Sequence, residues 1–111
     1  MTETLDLVLK GKWYDMIESG EKKEEYRAKT PYWVKRLLGC ERGEYCHHKC
    51  CGQCSRFKPK PYTRVCFHRG YTSKRVMCFE LKEIWDGFGE VQWGAPADER
   101  VFILALGERL L

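Results

Sequence analysis

Lys12-Trp13-Tyr14-Asp15-Met16-Ile17-Glu18-Ser19-Gly20-Glu21-Lys22-Lys23-Glu24-Glu25-Tyr26-Arg27 is the stretch around which the chain is organised. Its first half has the spacing of a short amphipathic helix, with Trp13, Met16 and Ile17 on one face. Gly20 follows the last periodic residue, where a helix ends most easily in a left-handed conformation that a Cβ penalises. Beyond the turn the chain re-emerges as a strand, in which Lys23, Glu25 and Arg27 share one face while Glu24 and Tyr26 share the other. Helix stop, turn and strand together aim Lys22, Glu25 and Arg27 at one place. Three charges beside a helix stop are commonly a solvated edge, so the rest of the chain must decide between an edge and a site.

Working outward, Leu5-Asp6-Leu7-Val8-Leu9 alternates as a first strand with its leucines inward. Downstream, Thr30-Pro31 is an N-cap followed by proline at the first helical position, where its missing donor does no harm. The helix Tyr32 to Leu38 then carries Trp33, Val34, Leu37 and Leu38 on an apolar stripe, and Gly39 stops it. Tyr62 to Arg69 is rich in β-formers, with Thr63, Val65 and Phe67 on one face. Gly70-Tyr71-Thr72-Ser73 turns the chain, and Arg75 to Ile84 returns with Met77, Phe79 and Leu81 inward, which predicts a hairpin. Asp86-Gly87-Phe88-Gly89 and Trp93-Gly94-Ala95-Pro96 read as a glycine-rich loop. Val101 to Leu106 is apolar on both faces and reads as a buried strand.

At 111 residues the chain is one domain by size, 1–111, with 43% hydrophobic and 14% aromatic residues as expected of a folded core. No apolar run approaches the roughly 18 residues that span a bilayer, so no membrane partner is expected. The N-terminus lacks the basic-then-apolar profile of a secretory signal, which makes a cytoplasmic location the default. The fold class expected is α+β, mainly β. Five to six strands with two short helices inserted early fit a small β-barrel; a split βαβ sandwich is the alternative, disfavoured because later strands lack helix-crossover spacing.

Net charge is only +4, yet between Cys46 and Phe79 there are eight Lys or Arg and no acidic residue. That asymmetry suits an anionic partner, most simply nucleic acid, or else merely solubilises a loop and two strands.

Residues 39–60 form a Cys/His-rich insertion with too few apolar residues for a core of its own. Five of the seven cysteines fall here: Cys40, Cys46, Cys50, Cys51 and Cys54, with His47 and His48 among them. Cys51-x2-Cys54 with a glycine inside has zinc-knuckle spacing, and four thiolates on Zn²⁺ would make a closed structural site. The physical motive is that a coreless excursion needs a staple. The expected ligands are Cys40, Cys46, Cys51 and Cys54, with Cys50, His47 or His48 able to replace a member. Cys66 and Cys78, on paired strands, read as buried small hydrophobes.

Lys22 has two chemical options. Desolvated, its pKa falls and it can act as a base or hold an anionic intermediate; left ionised beside Glu25, it contacts phosphate or carbonyl groups. Glu25 and Arg27 are near enough to pair or to frame a base edge together. A carboxylate accepts from exocyclic amines and Arg grips phosphate in bidentate fashion, so a nucleoside or RNA base suits this trio. Trp13, Tyr26, Tyr32 and Trp33 are rings on which a base could stack, although such aromatics are more commonly core. His68 and Arg69, ending their strand, are read as bordering the same cleft.

Gly20-Glu21-Lys22-x-x-Glu25-x-Arg27, preceded by a helix carrying Trp13 and Ile17, resembles the signature of the ASCH domain of the PUA-like superfamily. Thr63 to Tyr71, Glu80 to Ile84, the Trp93 to Pro96 loop and Val101 to Arg109 are similar to its small bacterial and phage-borne members. The resemblance covers residues 5 to 38 and 62 to 109. It implies a small PUA-like β-barrel with a cleft beside the helix–turn–strand, and an association with RNA. Some small members are ribonucleases or amidohydrolases acting on N4-acetylcytidine; in the latter the lysine matched by Lys22 is catalytic, and Glu25 stands where those enzymes carry threonine. The function expected is therefore RNA or modified-nucleoside binding, with a structural zinc. The alternatives are a hydrolase or ribonuclease in which Lys22 and Glu25 are catalytic, and a protein-interaction module.

Overall fold

The computed structural model of the chain describes residues 4–38, 59–71 and 74–111. The Cys/His-rich insertion, with the expected ligands Cys40, Cys46, Cys51 and Cys54 and the alternates Cys50, His47 and His48, lies outside the described residues. The alternating leucines form β1 (Thr4–Leu9), with Leu5, Leu7 and Leu9 all buried. After Lys10 the chain enters α1 (Gly11–Glu18), then β2 (Glu24–Arg27) and α2 (Pro31–Leu37). The hairpin of β3 (Arg64–Arg69) and β4 (Val76–Gly87) follows, then a 3₁₀ turn at Val91–Trp93 and β5 (Val101–Arg109).

The strands make one sheet in the order β1-β3-β4-β5-β2, parallel between β1 and β3 and antiparallel elsewhere. It curls into a half-barrel, so the fold is α+β and mostly strand. Its two edges, β1 and β2, meet through a side chain: Arg27 Nη2 lies 3.4 Å from the Val8 carbonyl. α2 lies over the same seam, where Arg36 Nη2 donates to the Asp6 carbonyl at 2.7 Å.

Both helix boundaries follow the local chemistry. Gly20 adopts φ 88°, the left-handed region open to glycine, and the Lys22 amide turns back to the Met16 carbonyl at 3.0 Å. The Thr30 hydroxyl accepts from the Trp33 amide at 3.4 Å, with Pro31 just inside the helix. The face that α1 buries is Tyr14 with Ile17, rather than the expected Trp13, Met16 and Ile17 stripe. An eight-residue helix across a barrel end can bury only a narrow strip, and Trp13 turns toward Lys22 instead.

The hairpin sets Val65 opposite Phe79 and Phe67 opposite Met77, all inside the main core. It also sets Cys66 opposite Cys78, with Cα atoms 4.0 Å apart, and these two are joined by a disulfide rather than lying side by side as free thiols. Cross-strand placement at this separation leaves the sulfurs within bonding reach. Thr63 lies outside β3 and is exposed. β4 runs on through Asp86 and Gly87, which pair with Phe102 and Val101 instead of opening the loop. Asp86 is held there by Lys29 and Arg100. β5 is buried on both faces over Val101 to Leu104: Phe102 and Leu104 enter the main core, and Val101 and Ile103 join Tyr26 and Ala95 in a second cluster. Among the described residues no helix is long and apolar enough to cross a membrane.

Candidate functional site

β2 is too short to bury much by itself, yet both its faces are covered: Glu25 and Tyr26 are each buried. Register explains why. Glu25 and Arg27 lie opposite Leu104 and Phe102, on the barrel side, whereas Tyr26 lies opposite Ile103 in the second cluster. Lys22, at the entry to this strand, is 2% exposed. Its ammonium lies 4.7 Å from the centre of the Tyr26 ring and 5.1 Å from that of Trp13. It donates to the Trp93 carbonyl and sits 3.2 Å from Glu25 Oε1.

The second oxygen of Glu25 accepts from Arg27 Nη1, which also donates to the Tyr26 carbonyl at 2.9 Å. The Arg27 guanidinium rests 5.1 Å from the centre of the Trp33 ring, and Arg36 lies 5.3 Å from the same ring. Trp13, Lys22, Glu25, Arg27 and Trp33 thus form one continuous run, three charges of alternating sign with an indole at each end. Removing two charges from water costs several kcal/mol each, which is offset only where each finds partners. Here each does.

Burial pushes the Lys22 ammonium below the usual lysine pKa; the charge and hydrogen bond of Glu25 oppose this, and Arg27 reinforces it. Burial also raises the Tyr26 hydroxyl well above its ordinary value. That hydroxyl donates to Glu24 at 2.8 Å and accepts from the Glu90 amide at 3.0 Å. Lys22 and Tyr26 therefore fasten the 88–95 loop to the barrel from opposite ends of its 3₁₀ turn.

A cleft of about 550 Å³ opens beside Lys22, within the size range of small-molecule sites. Ile17, Phe79 and Leu106 supply its apolar floor, and Gly20 the rim. Its far wall is an irregularity in the β4–β5 ladder: Phe79 pairs with Arg109 and Leu81 with Leu106, so that Gly107 and Glu108 on β5 stand opposite the single residue Glu80 on β4. The Glu80 carboxylate fills the gap, 3.5 Å from the Glu108 amide. A Cβ at Gly107 would overlap Glu80 Oε1, so only glycine lets this carboxylate lie against the backbone. Lys23 and Lys82 complete the lining; neither they nor Glu80 and Glu108 form an ion pair among the described residues.

The structure brings Lys22, Glu25 and Arg27 together but turns their charged ends on one another rather than outward. His68 and Arg69 are elsewhere. His68 Nε2 is 3.1 Å from Asp6 Oδ1 on the outer face of the sheet, and Arg69 makes two 3.0 Å bonds to the Asp15 carboxylate on α1. Trp93, Glu80 and Lys82 are the participants sequence reasoning missed. A backbone carbonyl leaves no mark in a sequence. Glu80 and Lys82, however, stand at alternate positions of a strand whose neighbours face inward, and Gly107 interrupts the apolar run of β5. Among the described residues no group of three or more His, Cys, Asp or Glu side chains is placed to hold a metal ion. No family model matches the chain, nor does any curated protein or solved structure.

Proposed function

We propose that this protein binds a nucleoside or an RNA base in the cleft beside Lys22. The observation that carries the reading is that this cleft combines an apolar floor with two lysines and two carboxylates that form no ion pair among the described residues, beside the buried Lys22. Bases present flat apolar faces and donor-bearing edges, and both have complements here. The resemblance to ASCH domains and the basic character of residues 46–79 support the same ligand class. Lys22, its charge held by Glu25, forms part of the wall, while the apolar floor and Glu80 make the contacts to the base, with Lys23 and Lys82 beside them. Titrating ¹⁵N-labelled protein with nucleosides and short single-stranded RNA tests this. Shifts concentrated at Gly20, Lys23, Lys82 and Gly107 are expected; amides in the cleft that do not move at millimolar ligand would reject it.

A second reading, hydrolysis of a modified nucleoside or of RNA, rests on the lowered Lys22 pKa, which favours a base or nucleophile. It requires the ammonium to leave the Trp93 carbonyl and Glu25. N4-acetylcytidine or labelled RNA incubated with wild type and Lys22→Ala separates the readings. A structural zinc on Cys40, Cys46, Cys51 and Cys54 belongs to the same proposal. With Cys66 and Cys78 paired to each other, the five remaining thiols are those of the insertion. Elemental analysis of untagged protein should give about one zinc per chain, and less than half an equivalent with reduced thiols would count against the site.

A further inference from the structure

Resting on the nucleoside-binding reading, we infer that the cleft takes a phosphorylated ligand, a nucleotide whose base carries an exocyclic amine, gripped at both ends. The lysines come from opposite sides of β5. The Lys23 carbonyl accepts from the Leu106 amide at 3.1 Å, and Leu106 is paired on its other side with Leu81, the neighbour of Lys82. Two strand spacings, roughly 10 Å, therefore separate the two backbones. Long, flexible lysine stems close that distance, so both ammonium groups can reach one phosphate held above β5. Neither forms an ion pair among the described residues.

The other end of the ligand is set by Glu80, two residues from Lys82 and on the same side of β4. Its carboxylate, at an exposed position, lies against Gly107 and the Glu108 amide, which places an acceptor at the cleft wall. A carboxylate accepts a hydrogen bond from the amine of cytosine or adenine and meets only a carbonyl at the corresponding position of uracil. Between the two ends, Ile17, Phe79 and Leu106 offer the apolar surface a sugar and base can cover. An acidic end and a basic end over an apolar floor match a nucleotide in charge order. A nucleoside leaves the lysines unmatched, and inorganic phosphate leaves the floor and Glu80 unmatched.

Calorimetric titration of the full chain with cytidine, adenosine, their 5′-monophosphates and uridine 5′-monophosphate tests this. Cytidine and adenosine monophosphates should bind at least about tenfold tighter than the free nucleosides, a difference that shrinks as salt rises. Lys23→Ala/Lys82→Ala, both at exposed positions, should bring the nucleotides to the level of the nucleosides. Glu80→Gln should abolish the preference over uridine monophosphate. Nucleosides that bind as tightly as nucleotides, or nucleotide binding that survives the double lysine substitution, would overturn the inference while leaving the nucleoside reading intact. Failure of every ligand to bind would overturn both.

Discussion

Replacing Glu25 by glutamine keeps its shape and removes one negative charge from between two positive ones. In the native protein Glu25 Oε1 faces Lys22 and Oε2 faces Arg27, with side chains 1% and 16% exposed respectively. Deleting one partner of a buried pair costs about 3–5 kcal/mol, because the survivor stays desolvated and unpaired. The low end applies here. Lys22 keeps the Trp93 carbonyl and two ring faces, and Arg27 keeps the Tyr26 carbonyl, Trp33 and a share of solvent. A loss of about 3 kcal/mol corresponds to a melting point lower by about 12 °C or more for a domain of this size.

The pH dependence is what identifies the cause. Lys22 already titrates below the ordinary lysine value of 10.5, and losing Glu25 lowers it further. Between the folded and unfolded values the unfolded chain binds more protons, so stability rises with pH there. The Glu25→Gln deficit should therefore be largest near neutral pH and shrink as the solution approaches pH 10, where Lys22 can shed its proton inside the fold. Urea denaturation of wild type and variant at several pH values measures this. Lys22→Met/Glu25→Leu, which removes both charges, should recover at least half of the loss at neutral pH. A deficit below about 0.5 kcal/mol, within the range of ordinary surface substitutions, or one that does not change with pH, would refute the reasoning.

Reducing the Cys66–Cys78 bond, which closes a loop of sequence separation 12, should lower stability by about 3 kcal/mol on chain-entropy grounds, measured by denaturation with and without a thiol reductant. Asp15 is held below the usual carboxylate range first by its hydrogen bonds from Arg69, then by the charges of Arg69 and Arg75. Its stabilising contribution is thus present above 3.8 and lost as pH falls, and Arg69→Ala should return its titration, followed by NMR, toward that value. Gly107→Ala should displace Glu80 from the Glu108 amide at about 1 kcal/mol, since the end of a flexible side chain must move, while weakening nucleotide binding in the same titrations.

The alternating leucines of β1, the capped start of α2, the β3–β4 hairpin and the doubly buried β5 were all legible from periodicity and turn chemistry. Each is a local pattern that the core simply accepts. What could not be read is what depends on curling. That β1 and β2, near neighbours in the chain, end up at opposite edges of the sheet is decided by where the later strands insert. The same curling turns Glu25 and Arg27 into the barrel, where they partner each other and Lys22, and moves the accessible polar groups to Glu80 and Lys82. Strand alternation alone placed Lys23, Glu25 and Arg27 on one side without revealing which side was covered. His68 and Arg69 follow the same logic: a strand end names the residue but not the neighbour, and their neighbours are Asp6 and Asp15.

The arginine-closed seam bears on how the protein behaves among other chains. A free sheet edge invites another strand to dock on its unpaired carbonyls, the first step of many aggregation pathways. On β1 the carbonyls of Asp6 and Val8, two residues apart and so on the same edge, are taken by Arg36 and Arg27. Both guanidinium groups are steadied by one indole, Trp33. An incoming strand would have to dislodge both. Trp33 therefore acts less as core filling than as a latch on a sticky edge. A chain lacking it would be expected to keep its sheet yet lose its solubility on concentration.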